Sequence, residues 1–236
     1  VSYQPQLHMQ AAAGLPLVRF ATLVATPLTT VLALDDGPVK TLADLKGRKV
    51  GYSVGGFEQA VLGAMLKTAG LTMDDVELVN VNFALSGSLL AKKVAAVVGA
   101  YRNFELNQLA IEGGKGRAFF PEENGVPAYD ELILVANASL RESDMLGRFA
   151  AAVEKGTQWL INRPEDSFKV FAAYKDGLDD ELNRRAWADT VPRFALRPAA
   201  LDRGRYKRFA KFLMAEKVID NQPDLDTYAI APEPAS

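Results

Sequence analysis

Apolar positions recur along this chain with two different periods, and the change of period divides it. Residues 17–25, apolar and β-branched after Gly14-Leu15-Pro16, read as a strand. Residues 29–34 are a second extended run, closed by the turn Asp35-Asp36-Gly37-Pro38. Thr41 can cap a short helix over 42–46 that stops at Gly47. Residues 49–54 are a short buried strand, and Gly55-Gly56 turns the chain into a helix over 57–67. That helix carries Phe57, Val61, Ala64, Met65 and Ala69 at helical spacing and ends at Gly70. A strand over 76–81, a short helix over 88–93, an unbroken apolar strand over 95–100, a helix over 104–112 and a strand over 117–120 follow. This alternation over 42–120 specifies a doubly wound parallel sheet.

Beyond it the period changes. Residues 131–136 are one more extended run, and helices are expected over 145–162, 164–175, 179–189 and 202–216. Pro164 suits a first helical turn. The tail over 231–236 reads as frayed. Two extended runs thus bracket the α/β part, the pattern of one lobe inserted into another, as in hinged two-lobed binding proteins. The expected division is 1–31 plus 135–236 for the first lobe and 32–134 for the inserted lobe.

Hydrophobic residues are 49% of the 236 and charged residues 24%, enough apolar surface for a core without covalent staples. A net charge of −2 gives no electrostatic case for nucleic acid. The absence of cysteine excludes disulfides, thiolate zinc sites and cysteine nucleophiles. No apolar run reaches membrane-span length. The chain opens with Val1-Ser2-Tyr3-Gln4-Pro5, without an initiator methionine or a visible signal peptide, so a processed, truncated or partial chain is expected.

A strand that ends in glycines and opens a helix points backbone N–H groups at one spot, where ligands of open α/β sheets settle. Ser53, Gly55, Gly56 and the start of the helix at Phe57 are therefore candidate ligand contacts, as is Glu58. The competing readings are a tight connection for the glycines and a favourable dipole interaction for Glu58. His8, the only histidine, reads as structural or exposed. With no partner ligands in the sequence, neither a metal site nor a catalytic residue is assigned. Trp159 and Trp187 read as packing residues. Arg203, Arg205, Lys207, Arg208 and Lys211 read as a solvated helix face opposite Tyr206, Phe209, Ala210 and Leu213.

Several segments together resemble the substrate-binding proteins of the NMT1/THI5-like family. They are Ser2-Tyr3-Gln4-Pro5-Gln6-Leu7, Thr41-Leu42-Ala43-Asp44-Leu45-Lys46-Gly47, Ser53-Val54-Gly55-Gly56-Phe57-Glu58, Val79-Asn80-Val81-Asn82-Phe83, Gly99-Ala100-Tyr101-Arg102-Asn103-Phe104-Glu105 and Pro127-Ala128-Tyr129-Asp130-Glu131. The most specific part is Gly-Gly-Phe-Glu combined with Tyr-Arg-Asn-Phe-Glu.

The resemblance implies an α/β chain with the two-lobed periplasmic-binding-protein type II fold. The inserted lobe would hold a doubly wound sheet and the C-terminal part would be rich in helices. The first lobe would be incomplete, because family members usually begin with a strand–helix–strand unit. It further implies capture of a thiamine pyrimidine precursor, hydroxymethylpyrimidine or formylaminopyrimidine, for an ABC-type permease. That implies a place in the periplasm, or anchored outside the cytoplasmic membrane.

An aminopyrimidine needs a flat apolar surface, a donor for a ring nitrogen and an acceptor for its amino group, which Tyr101, Asn103 and Glu105 can supply. Alternatively, Asn103 caps the next helix and Glu105 merely occupies its first turn. Tyr3 and Gln4 are ligand contacts or only a chain end. No cofactor is expected. An incomplete first lobe predicts a homodimer or a disordered N-terminus. Two other functions stay open. One is an enzyme of pyrimidine-precursor biosynthesis on the same fold, although the cysteine-rich motif of the eukaryotic branch is absent. The other is a binding protein for another solute, such as a sulfonate or a riboflavin-like ring, since Arg102 lies in the same loop.

Overall fold

The computed structural model describes residues 1–233. Residues 234–236, and with them half of the tail expected to fray, lie outside the described residues. Two compact units emerge, one of Val1–Pro27, Pro127–Leu178 and Ala188 onward, the other of Leu28–Val126 with Asp179–Trp187.

The second unit is built on a five-stranded sheet of order β4-β3-β5-β2-β6, with β2 (Thr29–Leu34), β3 (Lys49–Tyr52), β4 (Glu77–Asn80), β5 (Ala96–Tyr101) and β6 (Gly116–Phe119). Helices α2 (Phe57–Thr68), α3 (Leu85–Leu90) and α4 (Glu105–Ile111) make the crossovers. β3 runs parallel to β4 and β5, as the alternation demands, but β2 is antiparallel to both β5 and β6. The sheet is therefore mixed, not wholly parallel. β2 precedes the alternating segment and needs no crossover helix. With all six of its residues buried, its composition cannot reveal its direction. On one face Leu32 and Leu34 pack with Val97 and with Leu85, Leu89 and Leu109 of α3 and α4. α2 contacts β5 and buries Val61, Leu62, Met65 and Leu66.

α3 begins three residues before the expected start. Its end explains the shift: Lys92 N donates to Leu89 O at 2.8 Å and Lys93 N to Ser88 O at 3.0 Å, closing the helix through Lys92 at φ +54°. Glycine is the usual residue for that closure, so the sequence hides it.

The first unit centres on the antiparallel pair β1 (Leu17–Val24) and β7 (Leu132–Asn137). One face packs Ile133 against Leu7 of α1 (Gln4–Ala12) and Tyr206 of α8 (Arg203–Ala215). The other packs Val18, Phe20 and Leu134 against Leu146 and Ala150 of α5 (Asp144–Asn162). α6 (Pro164–Ala172) follows α5, and α7 (Glu181–Thr190) precedes α8. Helix α1 has no counterpart among the expected elements.

The interior of this unit holds a polar network. The Arg19 guanidinium, fully buried, donates to the carbonyls of Pro198, Ala199, Ala200 and Ile230 and, at 2.6 Å, to Thr22 Oγ1. Thr22 Oγ1 in turn donates to Asp130 Oδ2 at 2.8 Å, and Arg205 pairs with the same carboxylate. These contacts satisfy both terminal nitrogens, the condition for tolerating a buried cation, while the buried Nε has no partner. Arg205 is thus part of the interior, unlike the solvated role its basic run suggests.

Candidate ligand-binding site

Three parallel strands end side by side in the second unit, and the loops after β4, β3 and β5 form one edge. After β3, Ser53-Val54-Gly55-Gly56 leads into α2. Glu58, in the first turn, reaches back and holds that loop. Its Oε2 accepts from Ser53 N at 3.0 Å and Val54 N at 3.1 Å, and its Oε1 from Ser53 Oγ at 2.8 Å. The neighbouring strand makes room for it. Gly99 of β5 has φ +94°, and a Cβ built there would lie 2.5 Å from the Glu58 carboxylate. Glycine is required at position 99 twice over, for the backbone and for the space. Gly56 has φ +86°, while a Cβ on Gly55 would meet nothing within 4 Å.

The loop after β5 repeats the device. Glu105, opening α4, accepts from Tyr101 N through Oε2 at 2.6 Å. Burial pushes its carboxyl above the ordinary glutamate range, and the Tyr101 N–H, which favours the charged form, offsets part of that rise. Among the described residues no cation pairs with it. The N-cap of α4 is Phe104 and makes no side-chain cap, so Asn103 does not cap the helix. Asn103 is buried and its carbonyl accepts from Asn107 Nδ2 at 3.0 Å. Tyr101 is half-buried. Arg102 points its guanidinium into the unit: it forms a two-pronged pair with Glu122 at 2.7 and 2.9 Å and lies 4.2 Å from the Phe120 ring centroid.

The loop after β4 adds residues that the sequence left unassigned. Val81 N donates to Tyr52 O at 3.0 Å, which extends the β3–β4 ladder by one step. Asn82 then takes φ +50°, held by its N–H donating to Asn80 Oδ1 at 2.8 Å. The next side chain, Phe83, is 87% exposed, and Val54 on the adjoining loop is 54% exposed. An aromatic ring so exposed beside a positive-φ residue at a strand end marks a candidate contact. The Asn-Val-Asn-Phe string was the available signal.

The structure thus brings Ser53, Gly55, Gly56, Phe57, Glu58, Tyr101, Asn103 and Glu105 into neighbouring loops of one unit. Tyr3 and Gln4 belong to the other unit. Tyr3 is partly exposed at the start of α1. Gln4 is fully buried, and its Oε1 accepts from Asp130 N at 2.7 Å. The Gln4 amide nitrogen also lies 3.2 Å from His8 Nε2, and Tyr228 OH lies 3.1 Å from His8 Nδ1. An amide nitrogen can only donate, so the imidazole is neutral with its proton on Nδ1. Rings of Tyr206, Phe209 and Tyr228 surround it, and burial pushes its pKa down to about 4.

The NMT1/THI5 like family model matches residues 1–167. A protein of Haemophilus influenzae named for thiamine biosynthesis is 51% identical over 231 residues, covering 98% of this chain and 74% of that protein. The chain belongs to the NMT1/THI5 like family. The formylaminopyrimidine-binding protein of Halalkalibacterium halodurans is 35% identical over 178 residues, 75% of this chain and about half, 54%, of that relative's length. A 4-amino-5-hydroxymethyl-2-methylpyrimidine phosphate synthase of Legionella pneumophila is 22% identical over 91% of this chain and 68% of its own. Among solved structures, the periplasmic aliphatic sulphonate binding protein SsuA of Escherichia coli matches with a TM-score of 0.76 at 17% identity, over 99% of this chain and 75% of that one. At that identity the match speaks for the fold, and this NMT1/THI5 like chain has the fold of two-lobed periplasmic binding proteins.

Proposed function

We propose that this chain is a solute-binding protein for a thiamine pyrimidine precursor, hydroxymethylpyrimidine or formylaminopyrimidine, which it delivers to an ABC-type permease outside the cytoplasmic membrane. The observation that carries the reading is the identity to the formylaminopyrimidine-binding relative, combined with two glutamate-braced loops at adjoining strand ends. In this reading Glu58 positions the Ser53–Gly56 turn, whose backbone meets the ligand together with Phe57. Tyr101 supplies a ring face, Asn103 an amide and Glu105 an acceptor for the exocyclic amino group. Tyr3 is a further contact, and Gln4 acts from the interior as its support. The chain acts without catalysing a reaction and without a cofactor.

A sulfonate ligand is less well served, because the Arg102 guanidinium in this loop is already engaged by Glu122 and Phe120. Titration calorimetry with hydroxymethylpyrimidine, formylaminopyrimidine and thiamine tests the proposal. Heat with one of the two precursors is expected, and no heat with any of the three overturns it. We propose a homodimer in solution, which light scattering of a monodisperse monomer would refute.

A further inference from the structure

At the pole of the second unit opposite the β3 and β5 loop ends, a cavity of about 440 Å³ opens between the end of β2, the start of β3 and the end of α3. Arg48, Lys49, Lys92 and Lys93 line it, against a single carboxylate, Asp36, in a chain whose net charge is −2. Its floor is apolar, with Leu34 and Leu89 buried beneath. Two of the cations are engaged elsewhere in part: Lys49 lies 3.6 Å from Glu77, and Arg48 uses its Nε on the Asp44 carbonyl. The side-chain ammonium groups of Lys92 and Lys93 have no hydrogen-bond or ion-pair partner among the described residues.

Lys92 also occupies, at φ +54°, the left-handed position that closes α3. Glycine fits that position without strain, whereas lysine is strained there. The chain therefore accepts strain at a point that places one more cation on this rim. Four cations over an apolar floor match an anion carried on a small hydrophobic body.

We propose that this cavity is a second binding site, separate from the strand-end loops, for a small organic phosphate monoester. The phosphate sits among Arg48, Lys92 and Lys93, and the organic part rests on Leu34 and Leu89. The test is an amide-resolved NMR titration of the whole chain with phenyl phosphate, with benzyl alcohol as a neutral control and phosphatidylglycerol vesicles as a membrane source of phosphate. Saturable shifts at Gly37 and Gly47 are expected with phenyl phosphate and not with benzyl alcohol. Lys92→Gly should weaken binding at least threefold while leaving the melting temperature unchanged or higher. Lys92→Gly with Lys93→Gln should weaken it at least tenfold. An absence of shifts, an affinity unchanged in the double variant, equal binding of benzyl alcohol, or capture by vesicles alone would each overturn the proposal.

Discussion

Replacing Gly99 by alanine probes the contact that joins the two braced loops. Two costs arise. The first is backbone strain at φ +94°, about 1–2 kcal/mol for a residue with a Cβ in the left-handed region. The second follows from space: the new methyl would stand 2.5 Å from the Glu58 carboxylate and drive it off Ser53 and Val54. Hydrogen bonds to a charged acceptor contribute about 1.5–3 kcal/mol each. Two of these three donors are backbone groups near solvent that recover water, so their joint loss costs about 2–3 kcal/mol. Gly99→Ala should therefore cost about 3–5 kcal/mol, and Glu58→Ala about 2–3 kcal/mol. The double variant should cost no more than Gly99→Ala alone, because the brace can be lost only once. A double-mutant cycle from urea unfolding should return a coupling of about 2 kcal/mol. Costs that add to within about 0.5 kcal/mol would refute the claim that Gly99 exists to admit the Glu58 carboxylate.

Two further outcomes follow from the titrating groups. Glu105→Gln should weaken pyrimidine binding about 10- to 150-fold, the loss of one charge-assisted hydrogen bond, and an unchanged affinity in calorimetry would remove Glu105 from the site. Because the folded-state pKa of Glu105 is raised, the native chain binds more protons than the unfolded one above pH 4.5. Wild type should thus lose stability relative to Glu105→Gln as pH rises from 4.5 through the raised pKa, and parallel melting curves at pH 4–7 that never diverge would contradict this. His8 has the opposite sign: its folded pKa of about 4 lies below the ordinary 6.5, so its contribution is complete above pH 6.5 and is lost as pH falls towards 4, about 3 kcal/mol in all. As the chain has one histidine, its ring resonance is unambiguous, and a midpoint near 6.5 in the folded protein would exclude the buried neutral ring.

Positions governed by local periodicity were legible in the sequence. Residues 29–34 form β2 within those bounds, and the helix expected from Phe57 runs to Thr68. The strand-end loops were legible as well, since a strand, two glycines and a helix start are all local signals. What escaped was set by distant partners. β2 is antiparallel because of where β5 and β6 lie, not because of anything in Thr29–Leu34. α1 lies where the sequence reading has only ligand contacts or a chain end at Tyr3 and Gln4, although Pro5 in a first turn and the run to Gly14 are signals for a helix. The tie between Glu58 and Gly99 spans neighbouring strands and has no sequence period. The alternative reading of Asn103 as a cap fails, because the N-cap position falls one residue on, at Phe104, which makes no side-chain cap.

The Arg19 clamp has a consequence for how the chain is made. Its carbonyl partners lie 179 to 211 residues further along the chain, at Pro198–Ala200 and Ile230. Until those residues emerge from the ribosome, the guanidinium lacks its carbonyl ligands and has only Thr22 Oγ1 nearby, so β1 cannot bury it. The stretch 28–126, by contrast, holds its whole sheet and the three crossover helices, so its contacts become available early. Synthesis should thus run through a long interval in which one unit is ready to fold and the other is held open.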